Sequence, residues 1–261
     1  MLGTLEIDAE VGDLAGDFQA AQTFRQETIN YIKYCLKLSE DDVTEPAPPN
    51  QIIAFFKVIG DAACEVYDLS HREILLREFE FFMETSESEQ RIRLSPELPS
   101  MEEYMRTRLG TSAVNVTSFF NEYAYGTTVP VEVLNDPDMK AIWDQTNVII
   151  WATNDLLSLK KEIAQQTVDS LVPLLYHKHG NLDLAVSLVV ETIDNAVKDF
   201  DCAAESLARK FSDDKQLLPR LETYIRACQL NCTGNLNWSL QTGRYGVSQH
   251  SMAGGVTLRL E

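Results

Sequence analysis

Apolar residues recur along this chain at the spacing of an amphipathic α-helix. Because an α-helix has about 3.6 residues per turn, side chains three and four positions apart lie on one face and can be buried together. The sharpest stripe comprises Ile52, Phe55, Phe56, Ile59, Ala62, Ala63 and Val66. The same periodicity predicts helices over 18–38, 52–66, 70–90, 138–164, 182–210 and 217–240. Only Val129–Val133 alternates over strand length, and its Pro130 disfavours a strand. We therefore expect an all-α fold.

The breaks between the predicted helices are short, as they are in a single domain. Ser100 and Glu103 have the spacing of a capping box, which predicts that a helix begins after Ser100. His177 and His179 fall in a segment that we assign to a loop. No repeat or low-complexity segment interrupts the pattern. We expect one helical domain over 1–261.

The charge balance limits the kinds of partner that the chain can bind, and other sequence features indicate its compartment. The chain has 22 Lys and Arg residues against 40 Asp and Glu residues, a net charge of −18. So acidic a surface repels a phosphate backbone, which disfavours nucleic acid as a partner. No apolar run reaches the roughly 18 residues that a membrane span needs, and acidic residues near the start argue against a signal peptide. Five scattered cysteines are typical of a protein whose thiols stay reduced. We expect a cytoplasmic protein.

Three polar residues interrupt the apolar face of the helix predicted at 138–164. Asn154, Ser158 and Glu162 lie four residues apart, so each is rotated by only about 40° from the last and all three point the same way. A buried polar group without a partner costs about 1–3 kcal/mol. Mg²⁺ is a suitable partner, since it prefers oxygen ligands and shares them with substrate phosphates. Alternatively, Asn154 and Ser158 bond each other or the preceding turn.

The segment from Asn154 to Glu162 reads N-D-L-L-S-L-K-K-E and resembles the N-D-x-x-S-x-x-x-E metal motif of class I terpene synthases, including the Lys-Glu ending of microbial and fungal members. Arg108 precedes the motif by the spacing of that family's diphosphate-sensing arginine, and it lies on an otherwise apolar helix face. A buried guanidinium needs an anionic partner. The resemblance implies a diphosphate, and a neighbouring carboxylate is the alternative.

Further residues of the diphosphate site follow from the same resemblance. Thr111 and Ser112 occupy the positions that follow the sensor arginine, and Arg244-Tyr245 resembles the family's C-terminal Arg-Tyr pair. A guanidinium can hold a diphosphate through two parallel hydrogen bonds. The resemblance therefore implies that the substrate is bound by six residues: Arg108, Thr111, Ser112, Lys161, Arg244 and Tyr245. It implies a catalytic role as well for Arg108 and Tyr245.

The front of the chain departs from the family pattern. Members of the family carry an aspartate-rich D-D-x-x-D/E segment. In this chain Glu6-Ile7-Asp8 resembles only the end of that segment, which makes Asp8 a further candidate metal ligand. Thr4 and Leu5 stand where the two leading aspartates belong. The resemblance covers about the C-terminal two-thirds of the usual catalytic domain, without its front helices. Asp41–Glu45 also fits D-D-x-x-E, but we assign it to a solvated acidic loop.

The resemblance implies a helical bundle of the terpenoid synthase type. It also implies a Mg²⁺-dependent cyclase that converts a prenyl diphosphate, farnesyl diphosphate in the first instance, into a sesquiterpene and diphosphate. One alternative is a truncated, catalytically impaired relative that keeps the helical shell and part of the site. Another is an acidic helical module that binds other proteins.

Overall fold

The computed structural model describes residues 14, 16–40, 44–164 and 170–246, and all regular secondary structure in this part of the chain is α-helical. This confirms the predicted all-α class. The helices are α1 (Phe18–Cys35), α2 (Gln51–Ala54), α3 (Phe56–Val66), α4 (Leu69–Leu94), α5 (Met101–Thr111), α6 (Val114–Phe119), α7 (Asn121–Tyr125), α8 (Val131–Leu134), α9 (Pro137–Ala164), α10 (Leu171–His179), α11 (Leu182–Lys210) and α12 (Leu217–Gln241).

Helix α9 is the centre of the fold. It packs along α11 and α12 and also contacts α5, α6 and α10, while α4 lies beside α5 and α1 beside α4. Two apolar clusters hold it: Ile142 and Trp143 belong to the cluster shared with α12, and Trp151 and Ala152 to the cluster shared with α10 and α11. Because both ends of its apolar face are fixed, the polar residues that follow Trp151 have a defined direction. No helix among the described residues is long and apolar enough to cross a bilayer.

Local signals in the sequence explain where several helices begin. Ser100 and Glu103 form the expected capping box, in which each side chain accepts a hydrogen bond from the other residue's backbone N–H. Asp68 and Asn181 cap α4 and α11 with their side-chain oxygens. Pro137 starts α9, where its fixed φ angle suits the first helical turn.

The face predicted to be buried in segment 52–66 is partly wrong. Phe55 is 73% exposed and Ile59 is 43% exposed, whereas Ile53, Phe56 and Ala63 are buried. The helix is interrupted at Phe55, which ends α2 and precedes α3. Periodicity alone could not reveal this break, which changes the register of the buried face.

Segment 171–179 is helical, so the loop predicted at His177 and His179 is wrong. Helix α10 begins after Ser170 with the apolar run Leu-Val-Pro-Leu-Leu, which has no helical period of its own. Pro173 lies in the first turn, where the missing backbone N–H would have had no helical partner. Tertiary burial of Leu171 and Leu175 stabilises this helix, and local pattern could not predict it.

Gly60 sets how closely α3 approaches α1. A Cβ atom at this position would lie 2.7 Å from Cys35 Cβ and 2.8 Å from the Cys35 backbone oxygen. We expect Gly60→Ala to lower the free energy of unfolding by about 1–3 kcal/mol, because no side-chain rotation can move a backbone oxygen away from the new methyl group. Gly234→Ala is the matched control: a Cβ there meets nothing within 4 Å, so helix propensity should make it neutral or stabilising by about 1 kcal/mol. Urea denaturation measures both, and equal stabilities would contradict the expectation.

Candidate functional site

Asn154, Ser158 and Glu162 lie on one face of α9, as the spacing predicts. Ser158 is buried and the other two are half-buried. Ser158 Oγ donates to Glu162 Oε1 at 2.5 Å, and Ser170 Oγ donates to Glu162 Oε2 at 2.6 Å. The alternative, in which Asn154 and Ser158 bond only each other or the preceding turn, is therefore not what the structure shows. The three residues present an amide, a hydroxyl and a carboxylate along two turns.

Arg108 reaches this face from α5. Its Nη2 donates to Asn154 Oδ1 at 3.1 Å and to Asp155 Oδ1 at 2.7 Å. Burial lowers the pKa of the Arg108 guanidinium, but the charge and hydrogen bond of Asp155, together with the electrostatic influence of Tyr104 and Glu89, outweigh burial, and the pKa lies above its ordinary value. The anionic partner that the sequence requires is thus, in this structure, the Asp155 carboxylate. The same guanidinium also touches the first residue of the motif.

Asp155 is a positioning residue that the sequence analysis did not single out. It is fully buried and accepts hydrogen bonds from Arg108, from the Tyr104 hydroxyl and from the Leu171 backbone N–H, the last at 3.1 Å. Burial and the Asp155 charge raise the pKa of Tyr104 well above its usual value, so the hydroxyl stays protonated as the donor. One carboxylate therefore fixes α5, α9 and the start of α10 relative to each other. The signal was available, since Asp155 stands inside the quoted motif.

The C-terminal Arg-Tyr pair also meets α9. Tyr245 is 4% exposed, and its hydroxyl oxygen accepts a hydrogen bond from Asn154 Nδ2 at 2.6 Å. The Trp238 and Tyr245 rings pack perpendicular to each other, with centroids 6.2 Å apart. Asn154 is consequently held between Arg108 and Tyr245, residues that are more than 100 positions apart in the chain.

Two cations, Arg244 and Lys161, lie close enough to each other for their charges to interact. Arg244 is exposed, and its guanidinium carbon is 5.7 Å from the centroid of the Tyr245 ring. Burial lowers the pKa of the Lys161 ammonium, and the positive charge of Arg244 lowers it further. Neither side chain forms an ion pair within the described part of the chain. Both can therefore accept an anionic ligand.

Thr111 and Ser112 lie at a break between α5 and α6. Thr111 Oγ1 donates to the Thr107 carbonyl, and Ser112 Oγ donates to Asn147 Oδ1 at 2.6 Å. Ala113, the residue at the break, has a left-handed backbone with φ of 54°. The break frees the Leu109 carbonyl, which accepts from Asn147 Nδ2 at 2.7 Å. The Ser112 backbone N–H donates to the Arg108 carbonyl at 3.1 Å, which is a helix-end contact and not a ligand site. The substrate-binding roles of Thr111 and Ser112 stay predictions.

The donors of α9 suit a hard divalent cation. Asn154, Ser158 and Glu162 supply only oxygen atoms, the ligand type that Mg²⁺ prefers, with one negative charge among them. No group of three or more His, Cys, Asp or Glu residues suited to a metal occurs in the described ranges, so a metal bound here would need further oxygens from a ligand. Asp8, Asp41 and Asp42 lie outside the described residues, and the proposed role of Asp8 as a metal ligand stays a prediction.

Comparison with known proteins agrees with the resemblance drawn from the sequence motifs. Residues 13–199 match the family model described as terpene synthase family 2, C-terminal metal binding. Sesquiterpene cyclase hepA of Aspergillus oryzae is 33% identical over 249 residues, which cover 93% of this chain and 68% of that protein. The (+)-eremophilene synthase of Sorangium cellulosum is 26% identical, covering 65% of this chain and 50% of its own length.

Solved structures share the fold at low sequence identity. The linalool/nerolidol synthase of Streptomyces clavuligerus in complex with 2-fluorogeranyl diphosphate superposes with a TM-score of 0.75 at 16% identity, covering 93% of this chain and 78% of its own. Hedycaryol synthase in complex with nerolidol superposes with a TM-score of 0.74 at 14% identity, covering 90% of this chain and 74% of its own. The similarity extends across nearly all of this chain, whereas the chain spans only part of each relative.

Proposed function

Because the chain belongs to terpene synthase family 2, we propose that it is a Mg²⁺-dependent cyclase that acts on a prenyl diphosphate, with farnesyl diphosphate as the first candidate substrate. In this reaction the bond between the allylic carbon and oxygen breaks, diphosphate leaves with the electron pair, and the carbocation closes into a ring. Loss of a proton or capture of water then gives a sesquiterpene hydrocarbon or alcohol. The relatives named as sesquiterpene cyclases and synthases favour the fifteen-carbon substrate.

The observation that carries the proposal is the hydrogen-bonded chain from Arg108 through Asn154 to Tyr245. Two distant segments that the resemblance assigns to diphosphate meet at the first residue of the metal motif. Asn154, Ser158 and Glu162 would hold Mg²⁺, which when bound supplies positive charge that stabilises the leaving diphosphate.

The cations around α9 supply the rest of the leaving-group site. Arg108 can donate its remaining N–H groups to phosphate oxygens while Asp155 holds its orientation, so little side-chain freedom is lost on binding. Lys161 and Arg244 add two positive charges close enough for each to act on the other. The Tyr245 hydroxyl can donate, because its contact with Asn154 uses only a lone pair.

We also propose a cytoplasmic location, in keeping with five free cysteines.

Incubation with farnesyl diphosphate tests the proposal. With Mg²⁺ the purified chain is expected to release diphosphate and form an extractable terpene, detected by gas chromatography and mass spectrometry, and chelation of the metal should stop both. A matched incubation with geranylgeranyl diphosphate reports on chain length. Absence of both products with every prenyl diphosphate would contradict cyclase activity.

A catalytically impaired, inactive relative is the second candidate. It is favoured by Thr4 and Leu5, which stand where the family carries two aspartates. The chain spans 68% of the fungal cyclase and 50% of the bacterial synthase. A thermal-shift experiment separates the possibilities. Mg²⁺ with pyrophosphate at 100 times its Kd should stabilise either the cyclase or the inactive relative by about 2.7 kcal/mol, whereas an acidic module that binds other proteins should not respond.

A further inference from the structure

The loop between α7 and α8 is held by side chains from three helices. Val129 is fully buried, and its backbone N–H donates to Glu122 Oε1 on α7. The Val129 carbonyl accepts a hydrogen bond from His71 Nε2 on α4 at 2.9 Å. Arg220 of α12 adds a contact from Nη1 to the Thr128 carbonyl at 3.0 Å. Two of the three anchoring side chains, Glu122 and His71, are therefore groups that can gain or lose a proton.

The surroundings of His71 require a positively charged imidazole. Its Nδ1 lies 2.8 Å from Asp68 Oδ1, while its Nε2 faces the Val129 carbonyl. A carboxylate and a carbonyl can only accept, so the ring satisfies both only when both of its nitrogens carry hydrogen. The Tyr67 ring lies nearly parallel to the imidazole, with centroids 5.7 Å apart, an arrangement that favours a cation. Burial lowers the pKa of His71, but its two hydrogen bonds and the charges of Glu122 and Asp68 outweigh burial, and the pKa lies above its ordinary value.

Glu122 is a buried carboxyl group. Only 1% of the residue is exposed, and Oε2 has no hydrogen-bond partner among the residues that the structure describes. Burial raises the pKa of Glu122 to about 7. The hydrogen bond from Val129 and the positive charges of His71 and Arg220 favour the anion, and so keep the pKa from rising further. Glu122 consequently changes its charge near neutral pH.

Other titratable and charged groups face this pair from the same three parts of the fold. They are Tyr67 and Asp68 just before α4, Tyr123 on α7, and Arg220 and Tyr224 on α12. Asp68 stays ionised, because two hydrogen bonds from His71 lower its pKa. Burial raises the pKa of Tyr67 and of Tyr224, so both hydroxyls stay protonated. The charge at this place therefore changes through His71 and Glu122.

Proton linkage sets the direction of the pH dependence. In the closed loop both groups have a raised pKa, so any opening that lets water reach them releases protons. For Glu122 the stabilisation is complete below its ordinary pKa of 4.5 and is lost as the pH rises to about 7. For His71 the stabilisation is complete below 6.5 and is lost at higher pH. Opening therefore becomes easier as the solution passes from mildly acidic to alkaline.

We propose that His71 and Glu122 form a proton-dependent latch, which holds loop 126–130 closed in mildly acidic solution and loosens it as the pH rises. The loop leads through α8 to Pro137, the first residue of α9, so loosening acts on the N-terminal end of the central helix. The latch does not depend on the proposed function, because no candidate residue of the diphosphate or metal site takes part in it.

Hydrogen exchange at the Val129 amide tests the latch. Each rate is compared with that of an unstructured peptide at the same pH, which gives a protection factor free of the pH dependence of exchange itself. From about pH 5.5 to about pH 8.5 this factor should fall by about tenfold or more. The Leu171 amide, which donates to Asp155, is the internal reference and should lose much less protection. Equal losses at the two amides, or no loss at Val129, overturn the latch.

Glu122→Gln tests whether this carboxyl group carries the pH dependence. Glutamine keeps an oxygen that can accept from Val129 but has no proton to release in this range, so the loss of protection at Val129 should become several times smaller. Glu132→Gln is the matched control, because Glu132 is exposed on α8 three residues after Val129 and the variant should behave as the parent chain does. A Glu122→Gln variant that loses as much protection at Val129 as the parent chain rules out Glu122 as part of the latch.

Nuclear magnetic resonance of the His71 ring supplies a test that needs no stable Glu122 variant. The pKa of His71, followed through the chemical shift of a ring C–H, should lie above 6.5 in the parent chain and fall in Asp68→Asn. Asparagine can still cap α4 by accepting from the His71 backbone N–H, so the fold should persist. A His71 pKa at or below 6.5 in the parent chain, or one that Asp68→Asn leaves unchanged, contradicts the charged imidazole that the latch requires.

Discussion

Replacing Glu162 with glutamine is expected to lower the rate of diphosphate release from farnesyl diphosphate at least about 100-fold, which corresponds to about 2.7 kcal/mol of lost transition-state stabilisation. Glu162 carries the negative charge of the three-residue face, and an amide is a much weaker ligand for Mg²⁺. The substitution keeps the shape of the side chain and an oxygen that can still accept from Ser158 or Ser170. The fold should therefore persist while metal-dependent binding of pyrophosphate, measured by calorimetry, is lost.

Glu222→Gln is the matched control for this experiment. Glu222 is exposed on α12, so the same chemical change there should leave both turnover and pyrophosphate binding as they are in the parent chain. Turnover by the Glu162→Gln variant within a few-fold of the parent rate would show that Glu162 is not a metal ligand, and the role assigned to α9 would have to be abandoned.

Asp155→Asn is expected to cause the largest loss of stability. The substitution leaves the Arg108 guanidinium partly buried without its anion, and removal of one partner from a buried ion pair costs about 3–5 kcal/mol. For a chain of this size the melting temperature should fall by between about 6 and 20 °C. Thermal unfolding followed by circular dichroism measures the change. Exchange of the Leu171 amide should accelerate as well, because its acceptor becomes weaker.

The pair formed by Arg106 and Glu84 provides an internal comparison. Arg106 lies two residues before Arg108 on the same helix, and its Nη2 is also 2.7 Å from a carboxylate oxygen, but its side chain is 70% exposed. Exposed ion pairs contribute about 0–1 kcal/mol, so Glu84→Gln should change stability little. Similar losses for Asp155→Asn and Glu84→Gln would contradict the central role given to Asp155.

The sequence predicts the parts of the site that depend on helical periodicity. The bounds of α9, the common face of Asn154, Ser158 and Glu162, and the need of Arg108 for an anion all follow from spacing and burial cost. Spacing does not identify the partner across the interface. For Arg108, spacing allowed either a diphosphate or a carboxylate as the anionic partner, and the structure shows the Asp155 carboxylate. Asp155 lies on the same helix as the three residues but is rotated by about 100° from Asn154.

Two errors in the fold have a different origin. The buried face of segment 52–66 depends on a helix break at Phe55 and on close contact at Gly60, neither of which alters the hydrophobic pattern. Helix α10 is short, contains Pro173 and is stabilised by burial against α11. Both features are decided by tertiary packing, which outweighs local preference in short segments.

The left-handed backbone of Ala113 makes the bend after α5 a strained one. An alanine in this conformation costs about 1–2 kcal/mol relative to an ordinary helical residue, and only glycine would adopt it without that cost. The hydrogen bonds that Asn147 exchanges with Leu109 and Ser112 hold the bend in place. The angle between α5 and α6 is thus maintained by α9 rather than by the residue at the bend. Loss of the contact between Asn147 and Leu109 would leave the strain at Ala113 without this compensation.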